Sequence, residues 1–159
     1  MNARLLSIYL NDHLAGSVVG VALARRVLKE NEGSELGEFL RVLLAEIVED
    51  RATLLRLMDR LGVSRSKSKM TAAWTAEKLG RLKLNGQITG YSPLSRLVEV
   101  EALKTGINGK RALWLALGQI SDRDERLREL DFDALAERAR SQVERLEPYR
   151  LAAASEALG

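Results

Sequence analysis

Between Arg4 and Glu30 the chain runs without a proline or a turn dipeptide, while leucines and valines recur at helical spacing. A segment of that kind has to bury an apolar stripe along its whole length, because a helix in water owes most of its stability to packing. Asn31-Glu32-Gly33 supplies a C-terminal stop. Ser34 is a suitable N-cap with Glu35 and Glu38 in the first turn, and Leu36, Leu40, Leu43, Ile47, Leu54, Leu57 and Leu61 follow at heptad-like steps before Gly62. After a Ser/Lys linker, residues 67–83 read as a shorter helix stopped by Asn85-Gly86 and Gly90. Ser92-Pro93 gives an N-cap with proline at the first helical position, opening a helix to about Ile120 that Gly106 and Gly109 are expected to bend or split. Asp131 starts a last helix with Leu135, Ala139, Val143 and Leu146 inward, kinked or restarted at Pro148.

Four long helices with an extra short one predict an all-α fold, an antiparallel four-helix bundle in which each helix hides its stripe against the others. The 159 residues form a single domain (1–159), enough for one core at roughly two thirds burial. The chain has no cysteine, which excludes disulfides, thiolate nucleophiles and cysteine-held zinc or iron–sulfur sites. The uncharged run from His13 to Ala24 is too short to span a bilayer, and Asp12 breaks any signal-peptide core. A cytoplasmic protein without membrane contact is expected.

Register narrows the search for a site. If the first two helices turn near residue 32, facing residues sum to about 64, which sets His13, the single histidine, level with Asp50 or Arg51. Glu46, Glu49 and Asp50 share one side of the second helix, and Asp50 falls on the core-facing line of Leu43, Ile47 and Leu54. A carboxylate at that depth needs a partner.

The matched polar residues on the two first helices, the string EIVEDRATLLRLMDRLG, the ALKTGINGKRALWLAL segment and the final amphipathic helix together resemble the bacterial ferritin-like four-helix bundles over most of the chain. The metal-binding members of that family hold two irons with a Glu from each of two helices and a Glu-x-x-His pair from each of the other two. This chain departs there: Glu46-x-x-Glu49 has glutamate in the histidine position, and the last helix offers Gln142, Glu144 and Glu147 with no histidine. The resemblance therefore implies the fold without a bound cofactor. The alternative is an iron or manganese site assembled from Asp12, His13, Glu46, Glu49, Asp50 and Glu101, serving an oxidase or iron-handling protein.

For His13 the preferred reading is a hydrogen bond to Asp50 or another acid across the helix pair, fixing register. One histidine beside scattered serines gives no basis for nucleophilic catalysis, and no catalytic residue is assigned. Gly16 and Gly20 read as a strip that lets a second backbone approach, either within the bundle or across a homodimer seam. Residues 63–111 carry ten Lys or Arg against three acids. Within them Arg65, Lys67, Lys69, Lys78, Arg81 and Lys83, with Trp74 among them, could give weak, non-specific nucleic-acid binding, although a solvated basic face is the commoner cause of such a cluster. The expected role is structural or protein-interacting, as a self-associating bundle.

Overall fold

A computed structural model describes residues 2–66 and 90–159. Among these the regular structure is all helical: α1 (Ala3–Glu30), α2 (Glu35–Leu61), α3 (Pro93–Gly118), a 3-10 turn (Ser121–Arg123), the single-turn α4 (Glu125–Arg128) and α5 (Phe132–Leu158). The anticipated helix at 67–83, with Trp74, lies outside the described residues.

The ends of the long helices follow from named side chains. Asn2, Ser34, Ser92 and Asp131 each accept a hydrogen bond from the backbone N–H three residues on, satisfying a donor that the first turn leaves free. Gly62 closes α2 in the left-handed conformation at φ 69°, where a side chain would be strained. Asn31 caps α1 and also ties the bundle: its Nδ2 donates to Val27 O at 2.7 Å, and its Oδ1 accepts from Arg96 Nε of α3 at 2.8 Å. The α1–α2 turn is tight, because a Cβ on Gly37 would lie 2.2 Å from the Asn31 carbonyl oxygen.

Neither the split of α3 nor the restart of α5 occurs. α3 runs unbroken through Gly106 and Gly109, and α5 runs through Pro148. Each interior glycine costs about 1 kcal/mol against alanine and an interior proline about 3 kcal/mol. The packing of Val100, Leu103, Ile107, Leu113, Trp114 and Leu117 along α3, and of Phe132, Ala136, Ala139, Leu146 and Ala153 along α5, outweighs these costs. The turn at 121–123 and α4 were unforeseen, being too short to show a periodicity.

The core comes in two parts. One gathers Leu6, Leu10 and Leu14 of α1 with Leu54, Leu57, Met58 and Leu61 of α2, Leu113, Trp114 and Leu117 of α3, Leu127 of α4, and Phe132 and Ala136 of α5. The other joins Val21, Ala24 and Val27 with Leu36, Leu40, Leu43 and Ile47, Val100, Leu103 and Ile107, and Ala139 and Leu146. Helix α1 is also long and apolar enough, by length and composition alone, to cross a bilayer, its most apolar window averaging a hydropathy of 1.2. Here its inner face supplies core: Leu6, Leu10, Leu14, Val21, Ala24 and Val27 are all buried. Between Leu14 and Val21, and between Ile107 and Leu113, no apolar residue of α1 or α3 reaches full burial. That gap between the two halves of the core is where the polar residues gather.

Candidate functional site: a glycine-walled cavity beside a buried ion-pair lock

Asp50 is 2% exposed, and its carboxylate has three partners. Lys110 of α3 and Arg138 of α5 both form ion pairs with it, and Gln142 Nε2 donates to Oδ2 at 3.1 Å. Lys110 Nζ donates in turn to Gln142 Oε1 at 2.5 Å, so Gln142, fully buried, bridges the pair. Arg138 also reaches the exposed Glu49 at 3.5 Å. Burial pulls the Lys110 ammonium below its ordinary range, and the Asp50 carboxylate opposes that shift. A buried charge is tolerated only when paired and hydrogen-bonded, and this arrangement meets the condition by joining α2, α3 and α5 at one depth.

The acid's partners therefore differ from the expected histidine. His13 instead sets its ring edge-on against Tyr9, with centroids 4.6 Å apart, one turn earlier on α1. Burial lowers its pKa, with Asp12 opposing, so the ring is neutral at neutral pH. The estimate of depth was sound: His13, Asp50 and Arg51 line the same cavity.

That cavity, about 510 Å³, lies among α1, α2 and α3. Apolar walls come from Ile47, Leu54, Leu103, Ile107, Leu113 and Trp114, and its rim includes Tyr9 and the exposed Asp12. Four glycines line it, Gly16 and Gly20 from α1 and Gly106 and Gly109 from α3. A Cβ at any of the four would meet no heavy atom of the described residues within 4 Å. Of the two alternatives for the Gly16/Gly20 strip, no neighbouring helix among the described residues is seated on it, and the missing side chains leave room. Arg51 Nε and Trp114 Nε1 are buried without a hydrogen-bond partner, and Trp114 is only 1% exposed.

The remaining candidate metal ligands face cations. Glu46 pairs with Arg145 at 2.6 Å, Glu101 with Arg150 at 3.3 Å, and Glu147 with Lys104 and Arg150. Those hydrogen bonds hold the Glu147 carboxyl down to about 2. Arginines of α5 thus stand opposite the carboxylates, and no group of three or more His, Cys, Asp or Glu side chains converges among the described residues. Of the basic cluster, Arg65 is described and is held by Asp59 at 2.7 Å, whereas Lys67, Lys69, Lys78, Arg81 and Lys83 lie outside the described residues.

The residues that sequence reasoning missed are Lys110 and Arg138, and Arg51 was placed by depth alone. A signal existed for Lys110, which falls between Ile107 and Trp114 on the buried line of α3 at helical spacing. The chain matches no family model, no curated protein and no solved structure.

Proposed function

We propose that the chain is a non-catalytic binding protein that takes up a small, largely apolar molecule between α1 and α3, at the mid-bundle depth where ferritin-like proteins carry metal. The observation that carries this reading is the cavity of about 510 Å³ walled by four glycines and apolar side chains. Ligand sites of roughly 300–1,000 Å³ are typically concave, mostly apolar and provided with few polar groups. Four helix-interior glycines, each costing about 1 kcal/mol, are a standing destabilisation that an empty function would not require.

The way the two core halves are assembled supports a ferritin-like arrangement. The start of α1, the ends of α2 and α3 and the start of α5 meet in one half, and their opposite ends meet in the other. α2 and α3 then run the same way, which requires one long crossover, as in ferritin-like bundles. In this reading the Asp50–Lys110–Arg138–Gln142 lock takes the structural place of the metal.

The test is calorimetric titration of 1-octanol into the wild type and into Gly20→Leu/Gly106→Leu, with circular dichroism as a check on the fold. Binding by the wild type and its loss in a folded, cavity-filled variant are expected. Equal binding by both proteins, or none by the wild type, would contradict the proposal.

A further inference from the structure

We infer that the molecule held in this cavity is uncharged and carries a hydroxyl, its apolar body against the glycine walls and its hydroxyl on the His13 imidazole beside Tyr9. The inference rests on the binding reading above and adds the head group of the ligand. Charge on the lining is balanced, with the Asp12 and Asp50 carboxylates set against the Arg51 guanidinium and the Lys110 ammonium. An anionic head would meet two acids and a cationic head two cations, and either would give up its hydration for a mostly apolar space. Several polar atoms of the lining are also closed to a ligand. Asp50 and Lys110 are joined to each other and to Gln142, and Ser17 Oγ donates to Leu14 O at 2.6 Å. Arg51 Nε and Trp114 Nε1 are buried, out of a head group's reach.

Tyr9 and His13 differ from these groups. Both line the cavity, no described residue hydrogen-bonds the His13 ring nitrogens or the Tyr9 hydroxyl, and none of the three atoms is sealed in the way Arg51 Nε and Trp114 Nε1 are. The two rings meet edge-on one helical turn apart, with centroids at 4.6 Å, so Tyr9 holds the imidazole in place. Burial favours the neutral imidazole, with the Asp12 carboxylate opposing, and burial also keeps the Tyr9 hydroxyl protonated. A neutral imidazole has one N–H donor and one acceptor nitrogen. A ligand hydroxyl can donate to that nitrogen and still accept from the second donor on the same rim, the Tyr9 O–H. A carboxylate could only accept and an ammonium only donate. Ile47, Leu54, Ile107 and Leu113 leave the rest of the molecule an apolar surround.

The experiment compares 1-octanol, its isomer 1-methoxyheptane, octanoate and octylammonium, each below micelle formation, by calorimetry on the full chain near neutral pH. The ether has the same atoms as the alcohol but no O–H to donate. The wild type should bind octanol about 3- to 10-fold tighter than the ether, the range one net hydrogen bond supplies, and both ions more weakly than octanol. His13→Phe keeps a ring against Tyr9 and should erase the preference for octanol over the ether while both still bind. A readout that needs no substitution is the nitrogen resonance of the imidazole, unambiguous because His13 is the single histidine. Octanol should move the unprotonated nitrogen upfield as it accepts a hydrogen bond, and the ether should leave it in place. Equal affinity for alcohol and ether, a preference that survives in His13→Phe, or tightest binding by either ion would overturn the head-group assignment and leave the cavity reading standing. Failure of all four to bind would overturn both.

Discussion

The glycines on the cavity wall make an uncommon prediction: adding atoms should stabilise the protein. Gly16, Gly20, Gly106 and Gly109 all sit inside helices, where alanine is favoured over glycine by about 1 kcal/mol through the smaller backbone entropy it loses on folding. That gain is cancelled wherever the new methyl collides, and here it meets no heavy atom of the described residues within 4 Å. Each Gly→Ala change should therefore add about 0.5–1 kcal/mol. If the sites are independent, the fourfold variant gains about 2–4 kcal/mol, roughly 5–15 °C in Tm for a chain of this size. Gly37→Ala is the internal control. The same substitution in α2 drives a Cβ to 2.2 Å from the Asn31 carbonyl oxygen and should cost about 1–3 kcal/mol. Urea unfolding monitored by circular dichroism gives both signs in one series. The reasoning is refuted if Gly16→Ala or Gly20→Ala destabilises as Gly37→Ala does. Another backbone would then lie against the strip, as a second copy of the chain would in a homodimer, and light scattering would identify it.

Further expectations concern the ion-pair lock, the histidine and the carboxylates. Asp50→Asn strands Lys110 and Arg138 without their buried counter-charge and should cost about 3–5 kcal/mol, part of it recovered by Lys110→Met in the same chain; a neutral Asp50→Asn would mean the lock is solvated. His13 has a folded pKa below its unfolded value, so the unfolded chain binds the extra proton first and stability falls as pH drops below about 6.5. Denaturant midpoints between about pH 7 and pH 5 should show that slope in the wild type and lose it in His13→Gln; this window lies above that of paired carboxylates such as Glu147. With Glu46 and Glu101 turned to arginines of α5, protein purified without chelator should carry less than one equivalent of iron or manganese. About two per chain, lost on Glu46→Ala, would restore the di-metal alternative.

Much of the scaffold was legible because its signals are local. The buried line of α2 is the apolar periodicity itself, and Ser34, Ser92 and Asp131 cap helices because their side chains reach the N–H three residues on. The hairpin sum set His13 at the depth of Asp50 and Arg51 because α1 and α2 are joined by only four residues. The partner of Asp50 was not legible in that way. Choosing Lys110 and Arg138 over His13 requires the rotation of α3 and α5 about their axes, which no local pattern in α1 or α2 encodes. The Gly16/Gly20 strip was ambiguous for a related reason. Glycine removes a side chain, but whether a neighbour fills the space or leaves it open depends on how far apart the helices stand. Here α3 brings glycines of its own, Gly106 and Gly109, to the same cavity, so small residues meet across a space that neither helix fills.

The central claim, that the mid-bundle space holds a small molecule, is tested most directly by crystals grown with 8-bromooctan-1-ol and measured at the bromine absorption edge. The account predicts one dominant anomalous peak within the cavity bounded by Gly20, Gly106, Ile107 and Trp114. Peaks confined to exposed apolar side chains such as Leu5, Leu115 and Leu151, with the cavity empty, would contradict it.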